Sequence, residues 1–236
     1  MQDKFVGDVG DYGKYGLLRT LGGIEPLAKP RYRLGVVWYL RPEVKLHYLR
    51  KPEFHRYDED LCGVLLDIVD GQTRTVREVE RRREILGEDA VFFTEHVPNR
   101  SKRHEWLCRA LEETRDAKIV LIDPDNGLYP CEMEEKERLS TKHAYLNEVR
   151  PFVQRGQTVV VYQSYRRRKG DTPETEVDSW RYERLADFDL DEHPRVVGTG
   201  DRAFVVLPAT RHVEHIDGRL ARFVERWGKH FKHREL

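Results

Sequence analysis

The chain has 236 residues, and its 42 lysines and arginines balance 42 aspartates and glutamates, so the formal charge at pH 7 is zero. This balance excludes a general attraction to nucleic acid and leaves only a local basic patch to supply one. No stretch approaches the roughly 18 apolar residues of a membrane helix, and the first residues form no secretion signal, so we expect a soluble, cytoplasmic protein without membrane contact. The three cysteines are widely spaced without a CxxC pair, which argues against a disulfide framework and a cysteine zinc site.

Short apolar stretches alternate with charged stretches of helical spacing along the whole chain. This alternation is typical of a mostly parallel sheet covered by helices. We therefore predict an α/β fold, formed by a single domain over residues 1–236. The expected sheet is Rossmann-like, with helices on both faces and an antiparallel hairpin at its C-terminal edge.

The first informative segment, Gly7–Arg19, reads GDVGDYGKYGLLR. Its four glycines, two aspartates, two tyrosines and two cations exceed what the start of a helix needs. The segment lacks the GxxxxGK[ST] pattern of a phosphate loop, but Lys14 can bind a phosphate or a carboxylate. The structural alternative is that Asp8 or Asp11 caps a helix whose core-facing leucines are Leu17, Leu18 and Leu21.

A strand is predicted at 33–40, and its lack of polar alternation indicates a central position in the sheet. The apolar run at 61–69 fits either a helix or a strand, and we favour a helix. A charged helix at 75–86 leads to a second strand at 90–94. Glu95 follows that strand directly, where an acidic side chain can accept hydrogen bonds from the ribose hydroxyls of a nucleotide.

A helix at 101–114 leads to a strand at 118–122, which ends in the sequence DPDNG at 123–127. Ligands of open α/β sheets bind beyond the carboxyl ends of the strands, so these polar side chains lie where a site is expected. Pro124 fixes one backbone dihedral angle and Gly127 permits a tight turn, so the loop can hold its polar groups in a defined arrangement. The structural alternative is an aspartate-rich turn that caps the next element.

A helix at 142–154 leads to a strand at 158–162, and Gln163 follows that strand. A basic loop comes next, formed by Arg166, Arg167, Arg168 and Lys169. Such a loop can hold phosphates of a nucleic acid or nucleotide, and a solvated loop is the structural alternative. Because the carboxyl ends of parallel strands share one edge of a sheet, we expect Lys14, Asp123 and Gln163 to line one polar cavity.

The C-terminal part contains two apolar segments, 195–198 and 203–207, which flank a Thr-Gly-Asp-Arg turn and predict the antiparallel hairpin. A last helix is predicted at 211–231. Two pairs of histidines, 212 and 215 and then 230 and 233, stand three residues apart in and directly after it, but no acidic third ligand accompanies them. We therefore predict surface histidines and no metal site.

Three segments of the chain, Gly7–Arg19, Leu121–Leu128 and Tyr162-Gln163, together resemble a bacterial family. That family, which has no established activity, carries GD-x-x-D-[YF]-x-KYGLLR, a DPDNGL loop and a YQ strand end. The resemblance covers most of the chain, and its motifs are specific.

A more distant similarity is to the bacterial ribosomal-RNA adenine methyltransferases. These begin with GN-x-x-D-x-x-KH and carry an IDPPY catalytic loop after a strand, and the predicted C-terminal hairpin also resembles the class I methyltransferase sheet. Asp11 and Lys14 match the first motif, and Asp123 and Pro124 match the second. The similarity implies S-adenosylmethionine as cofactor and a nucleic acid or nucleotide as partner.

The first functional hypothesis is therefore a methyltransferase-like protein that acts on an amine of a nucleic acid or nucleotide. Its catalytic residues are expected to be Asp123, Asp125 and Asn126. The expected cofactor-binding residues are Asp11, Tyr12, Lys14 and Glu95. The expected substrate-binding residues are Tyr129, Gln163, Arg166, Arg167 and Arg168.

Two alternatives stay open. A magnesium-dependent phosphoryl-transfer enzyme, a nuclease or phosphoesterase, would hold Mg²⁺ on Asp123 and Asp125 and phosphates on the basic loop. A non-catalytic module would instead use the N-terminal and DPDN segments as a surface for a protein partner.

Overall fold

The computed structural model describes residues 6–24, 30–40, 56–71, 74–98, 100–129, 141–164, 192–198, 202–228 and 232–234. The helices in these ranges are α1 (Val9–Gly22), α2 (Glu59–Asp70), α3 (Val76–Arg81), α4 (Arg83–Leu86), α5 (Arg103–Glu113), α6 (Leu146–Gln154) and α7 (Val213–Trp227). The strands are β1 (Leu34–Trp38), β2 (Val91–Phe93), β3 (Ile119–Asp123), β4 (Gly127–Tyr129), β5 (His143–Tyr145), β6 (Thr158–Ser164), β7 (Arg195–Gly198), β8 (Arg202–Leu207) and β9 (Lys232–Arg234).

Seven strands form one sheet in the order β2-β1-β3-β6-β8-β7-β9. β2, β1, β3 and β6 are parallel neighbours, whereas β8 is antiparallel to β6 and β7, and β9 is antiparallel to β7. β4 and β5 form a separate parallel pair. The predicted α/β class is confirmed in the form of a mixed sheet. Its antiparallel C-terminal edge is also confirmed, and it contains a further strand, β9, that the sequence pattern did not predict.

The two faces of the sheet are covered by different helices. Val36 and Trp38 of β1 contact an apolar cluster that includes residues of α1, α2 and α7. Val37 and Tyr39 contact a second cluster that includes residues of α5 and α6. Because successive side chains of a strand point to opposite faces, helices on both faces are the arrangement that buries a strand as apolar as β1.

The N-terminal motif forms α1, and Asp8 is its cap. The Asp8 side chain accepts a hydrogen bond from the backbone N of Asp11 at 2.7 Å. The core-facing leucines were correctly predicted, since Leu17, Leu18 and Leu21 are fully buried. The capping alternative is thus confirmed for Asp8. Asp11 lies inside the helix, and its carboxylate accepts hydrogen bonds from the backbone N of Gly7 and from Nζ of Lys14.

Several helix boundaries differ from the predictions. The predicted helix at 75–86 is divided into α3 and α4, because Arg82 adopts a non-helical ψ of 80°. The predicted helix at 142–154 begins only at Leu146, and the three residues before it form β5. The ambiguous run at 61–69 lies in α2. None of the helices in the described ranges is long and apolar enough to cross a membrane.

Buried His212 links the start of β6 to the start of α7. The hydroxyl oxygen of Thr158 accepts a hydrogen bond from the backbone N of Ala209 and lies 3.1 Å from Nδ1 of His212. The hydroxyl can donate its own hydrogen to Nδ1 when that nitrogen carries no proton, which requires a neutral imidazole. Burial, assisted by Arg211, lowers the pKa of His212 to about 4.

This histidine makes stability dependent on pH. Between pH 6.5, its ordinary pKa, and about pH 4 the unfolded chain binds a proton that the folded chain excludes, so stability present above this window is lost as the pH falls through it. We expect the loss to reach about 2 kcal/mol, allowing for partial solvent screening. Urea denaturation of His212→Gln at several pH values should show a flatter profile, whereas His193→Gln, at an exposed position, should keep the slope.

Candidate functional site

The carboxyl ends of β1, β3 and β6 lie at one edge of the sheet. The chain forms β2 on one side of β1 and then returns to form β3 on the other side, so the strand order reverses between β1 and β3. Crevices at such reversals are the usual ligand sites of open α/β sheets. Asp123, the last residue of β3, pairs in register with Trp38, the last residue of β1. The DPDN loop (residues 123–126) therefore starts at the reversal.

Lys14 joins α1 to the DPDN loop. Its Nζ donates to Oδ1 of Asp11 and to Oδ2 of Asp123, each at 2.8 Å. The side chains of Lys14, Asp11 and Asp123 are only 5%, 2% and 4% exposed. Asp11 and Lys14 meet because residues three apart lie on one face of a helix. One buried cation thus connects two carboxylates from distant parts of the chain.

Burial and charge set the protonation of this triad. Burial alone would lower the pKa of Lys14, but the Asp11 and Asp123 carboxylates outweigh it and raise that pKa, so Lys14 is a cation at neutral pH. Burial raises the pKa of Asp11 to about 6, although the neighbouring Lys14 opposes this shift. Asp11 therefore takes up a proton in mildly acidic solution, and the triad has its full charge only above that range.

Three aromatic rings surround the Lys14 ammonium. The ring centroids of Tyr15, Trp38 and Tyr162 lie 5.6, 5.8 and 5.9 Å from Nζ, within the range of cation–π attraction. The Tyr15 hydroxyl also donates to Oδ2 of Asp11 at 3.1 Å. These contacts fix the position of the ammonium, and hence of the carboxylate of Asp123 that it binds.

A cavity of about 260 Å³ lies beside this triad. Its volume is near the lower end of the range for small-molecule sites. The residues that line it are Asp8, Gly10, Asp11, Lys14, Asp123, Pro124, Asp125, Tyr162, Ser164 and Arg202. Four of these side chains are carboxylates and two are cations, so this wall favours a ligand that carries a positive charge.

Arg202 enters the cavity wall from the start of β8. It lies opposite Ser164 in the antiparallel pairing of β8 with β6. A Cβ atom at Gly10 would overlap Nη1 of Arg202, so glycine is needed there for the guanidinium to approach α1. Sequence reasoning missed the lining residues Asp8, Gly10, Tyr162, Ser164 and Arg202. The alternation of β6, which places Tyr162 and Ser164 on one face, is the signal that identifies two of them.

Gln163 does not share the cavity with Lys14 and Asp123, contrary to the sequence prediction. It follows Tyr162 on β6 and therefore lies on the opposite face of the strand. Gln163 is 3% exposed, and its Oε1 accepts a hydrogen bond from the backbone N of Leu128 at 2.9 Å. Its place in the structure is thus to hold the residues that follow the DPDN loop.

Gly127 directly follows the DPDN loop, and its backbone conformation favours glycine. Its φ is 100°, a region that L side chains rarely adopt. A Cβ atom at this position would also overlap Oε1 of Gln163. The predicted need for glycine is confirmed, and a close approach as well as a turn requires it.

Asp125 and Asn126 point to different surroundings. Asp125 is partly buried and lines the cavity, whereas Asn126 is not among the described lining residues. The Asn126 backbone N donates to the carbonyl oxygen of Lys142 at 2.9 Å, and its Nδ2 lies 3.1 Å from Nε2 of His143. Tyr129 is 36% exposed, and its ring lies 5.3 Å from that of His143. Asn126 and Tyr129 therefore contact β5 instead of the cavity.

Two residues predicted to bind a cofactor lie elsewhere. Tyr12 is 1% exposed, and its ring packs 4.7 Å from that of Trp227, because it lies on a different face of α1 from Lys14. Glu95 pairs with Arg109, whose Nη2 lies 2.7 Å from Oε2, and this hydrogen bonding lowers the pKa of Glu95. The predicted substrate-binding arginines, Arg166, Arg167 and Arg168, lie outside the described residues.

The arrangement as a whole presents one oriented carboxylate, Asp123, beside a cavity with charges of both signs. Such a carboxylate can accept a hydrogen bond from an amine or contribute to a cation site. No group of three or more His, Cys, Asp or Glu side chains in the described ranges is placed to hold a metal ion.

Comparisons with models of protein families, with curated proteins and with solved structures each returned no match.

Proposed function

We propose that the chain is an S-adenosylmethionine-dependent, methyltransferase-like protein that acts on an amine of a nucleic acid or nucleotide. The observation that carries the proposal is the hydrogen bond between Nζ of Lys14 and Oδ2 of Asp123, at 2.8 Å. It brings together the two motifs, GD-x-x-D-x-x-K and the start of DPDN, on which the similarity to adenine methyltransferases depends.

The sheet supports the proposal independently. Four parallel strands reverse their order between β1 and β3, as in a Rossmann-like sheet, and the site lies at the carboxyl end of β3. Beyond β6, the antiparallel β8 lies between β6 and β7, which is the C-terminal feature that resembles the class I methyltransferase sheet.

The charged side chains that line the cavity fit S-adenosylmethionine. The carboxylates of Asp8 and Asp125 suit the amino group and the positive sulfonium, and the guanidinium of Arg202 suits the carboxylate of the methionine moiety. When bound, S-adenosylmethionine supplies a methyl group activated by the sulfonium. The net negative wall also disfavours a free phosphate, which would meet more carboxylates than cations.

The residues of the chain would act mainly by positioning. A carboxylate has about four acceptor sites, so Asp123 can accept a hydrogen bond from an amine N–H while it binds Lys14. This bond would orient the nitrogen lone pair towards the activated methyl group, and Lys14 would hold the carboxylate in place. Asp125 is close enough to share this work, whereas the Asn126 side chain contacts His143.

Calorimetry with S-adenosylmethionine tests the proposal directly. We expect the wild-type chain to bind the cofactor, and Arg202→Met to weaken binding by roughly 10- to 100-fold, because one charge-assisted hydrogen bond is lost. Arg195→Met is the matched control, since Arg195 belongs to the same hairpin but pairs with Asp217. Absence of cofactor binding by the wild-type chain would refute the proposal.

Methyl transfer can be followed with S-adenosylmethionine that carries a labelled methyl group, mixed with total bacterial RNA or with genomic DNA. Incorporation that depends on Asp123 would support the amine-directed reaction, with Asp123→Asn as the inactive variant. Asp116→Asn makes the same change at an exposed carboxylate and should keep full incorporation.

Magnesium-dependent phosphoryl transfer remains the second candidate, favoured by the four aspartates around one cavity. Lys14 weakens it, because its ammonium already binds the two most buried of these carboxylates, Asp11 and Asp123. The other two aspartates of the wall, Asp8 and Asp125, provide few oxygen ligands by themselves. Calorimetric binding of Mg²⁺ that is lost in Asp125→Asn, without binding of S-adenosylmethionine, would establish this alternative.

A further inference from the structure

A buried ion pair lies on the other side of the sheet from Lys14. Arg103 of α5 is 1% exposed and Glu148 of α6 is 2% exposed. Nε and Nη2 of Arg103 donate to the two oxygens of Glu148, which forms a bidentate pair. The function proposed above makes no use of either residue.

The pair holds both ends of the three-residue strand β5. Nη2 of Arg103 also donates to the carbonyl oxygen of His143 at 2.6 Å. Oε2 of Glu148 accepts a hydrogen bond from the backbone N of Tyr145 at 3.0 Å. Since His143 and Tyr145 are the first and last residues of β5, the ion pair fixes the position of the whole strand.

β5 in turn holds the DPDN loop. It pairs with β4, which begins at Gly127, directly after the loop. Asn126 adds two contacts to this region, from its backbone N to the carbonyl oxygen of Lys142 and from its Nδ2 to Nε2 of His143. The loop is thus held at its start by Lys14 and at its end by β5.

The energetics of a buried ion pair favour a positioning role. Removing two charges from water costs about as much as their attraction returns, so such pairs contribute little net stability compared with apolar residues. Within the described part of the chain, Nη1 of Arg103 has no hydrogen-bond partner, which adds to that cost. The guanidinium is nevertheless suited to the task, because its planar fork can bind a carboxylate and a carbonyl at fixed angles, and an ammonium cannot.

We propose that Arg103 is a positioning residue of the candidate site, which sets the geometry of the DPDN loop through Glu148 and β5. The link to cofactor binding rests on the proposed function, whereas the link to loop geometry does not. Asp123 and Asp125 would then depend on a residue that touches neither of them.

Hydrogen exchange of backbone amides tests the positioning role. The double variant Arg103→Met/Glu148→Gln removes both charges and keeps an acceptor for the Tyr145 amide, so we expect its Tm to stay within about 4 °C of wild type. Exchange at the Asn126 and Leu128 amides should nevertheless accelerate by about 10-fold or more, while amides inside β3 remain protected. Arg109→Met, which removes an exposed bidentate pair from the same helix, should change none of these rates.

The outcomes separate the two proposals. Unchanged exchange at Asn126 and Leu128 in the double variant would overturn the positioning role. Faster exchange together with about 10-fold weaker binding of S-adenosylmethionine would support both proposals. If the wild-type chain binds no S-adenosylmethionine but exchange still accelerates, the proposed function fails and the control of loop geometry stands.

Discussion

Lys14→Met is expected to destabilise the folded chain by about 3–5 kcal/mol near neutral pH, because it leaves two buried carboxylates without their cation. Asp11 and Asp123 both bind Nζ at 2.8 Å, so one substitution removes the counter-ion of both. The deficit should shrink near pH 5, since Asp11, whose pKa burial raises to about 6, then takes up a proton and the repulsion ends. Urea denaturation at both pH values measures the two effects.

Arg81→Met provides the matched control for this prediction. Arg81 also pairs with a carboxylate three residues earlier in a helix, Glu78, at 2.6 Å, but its side chain is 71% exposed. We expect a change below about 1 kcal/mol, the usual value of an exposed pair. Similar losses for Lys14→Met and Arg81→Met would show that the triad is open to solvent and would remove the basis of the proposed site. Restoration of stability by Lys14→Met/Asp11→Asn would confirm that repulsion causes the loss.

Gly127→Ala is expected to cost about 2–4 kcal/mol, through backbone strain and the loss of a buried hydrogen bond. The strain arises because φ is 100°. The hydrogen bond is lost because the new Cβ displaces the Gln163 amide from the Leu128 backbone N. Gln163→Ala alone loses the hydrogen bond without the strain. The further cost of Gly127→Ala in that background is therefore the strain, and urea denaturation of the single and double variants separates the two contributions.

Gly63→Ala tests the same substitution where neither cause operates. Gly63 lies inside α2, and a Cβ atom there would meet nothing within 4 Å. Alanine is the better helix former, so we expect a gain of about 0.5–1 kcal/mol. A loss of comparable size at both glycines would show that neither the strain nor the overlap with Gln163 causes the loss at Gly127.

The strands were the most predictable part of the fold. Runs such as 118–122 are short and, after Lys118, apolar, which fits strands buried on both faces, and β3 occupies almost that range. β4 and β5 were not predicted because each has only three residues and exists through pairing with the other. Arg82 interrupts a stretch that is helical in pattern, and periodicity alone does not show such a break.

The sequence predicts where the candidate site lies but not the full set of residues that line it. The rule that ligands bind at the carboxyl ends of strands placed Asp123 correctly, and the N-terminal motif supplied Lys14. A motif such as Tyr162-Gln163 does not show which residue faces the cavity, and the alternation along β6 places Tyr162 in its wall and Gln163 on the opposite face. Arg202 comes from the antiparallel register of β8 with β6, and such long-range pairing is not encoded in a local motif.

The hydrogen bond between Lys14 and Asp123 spans 109 positions of the chain. Contacts of such separation form only after the intervening chain has been brought together, which costs entropy that local contacts do not. We therefore expect the anionic pocket to be completed late during folding, when the N-terminal helix docks on the parallel strands. Any change that loosens this helix should abolish ligand recognition before it unfolds the rest of the molecule.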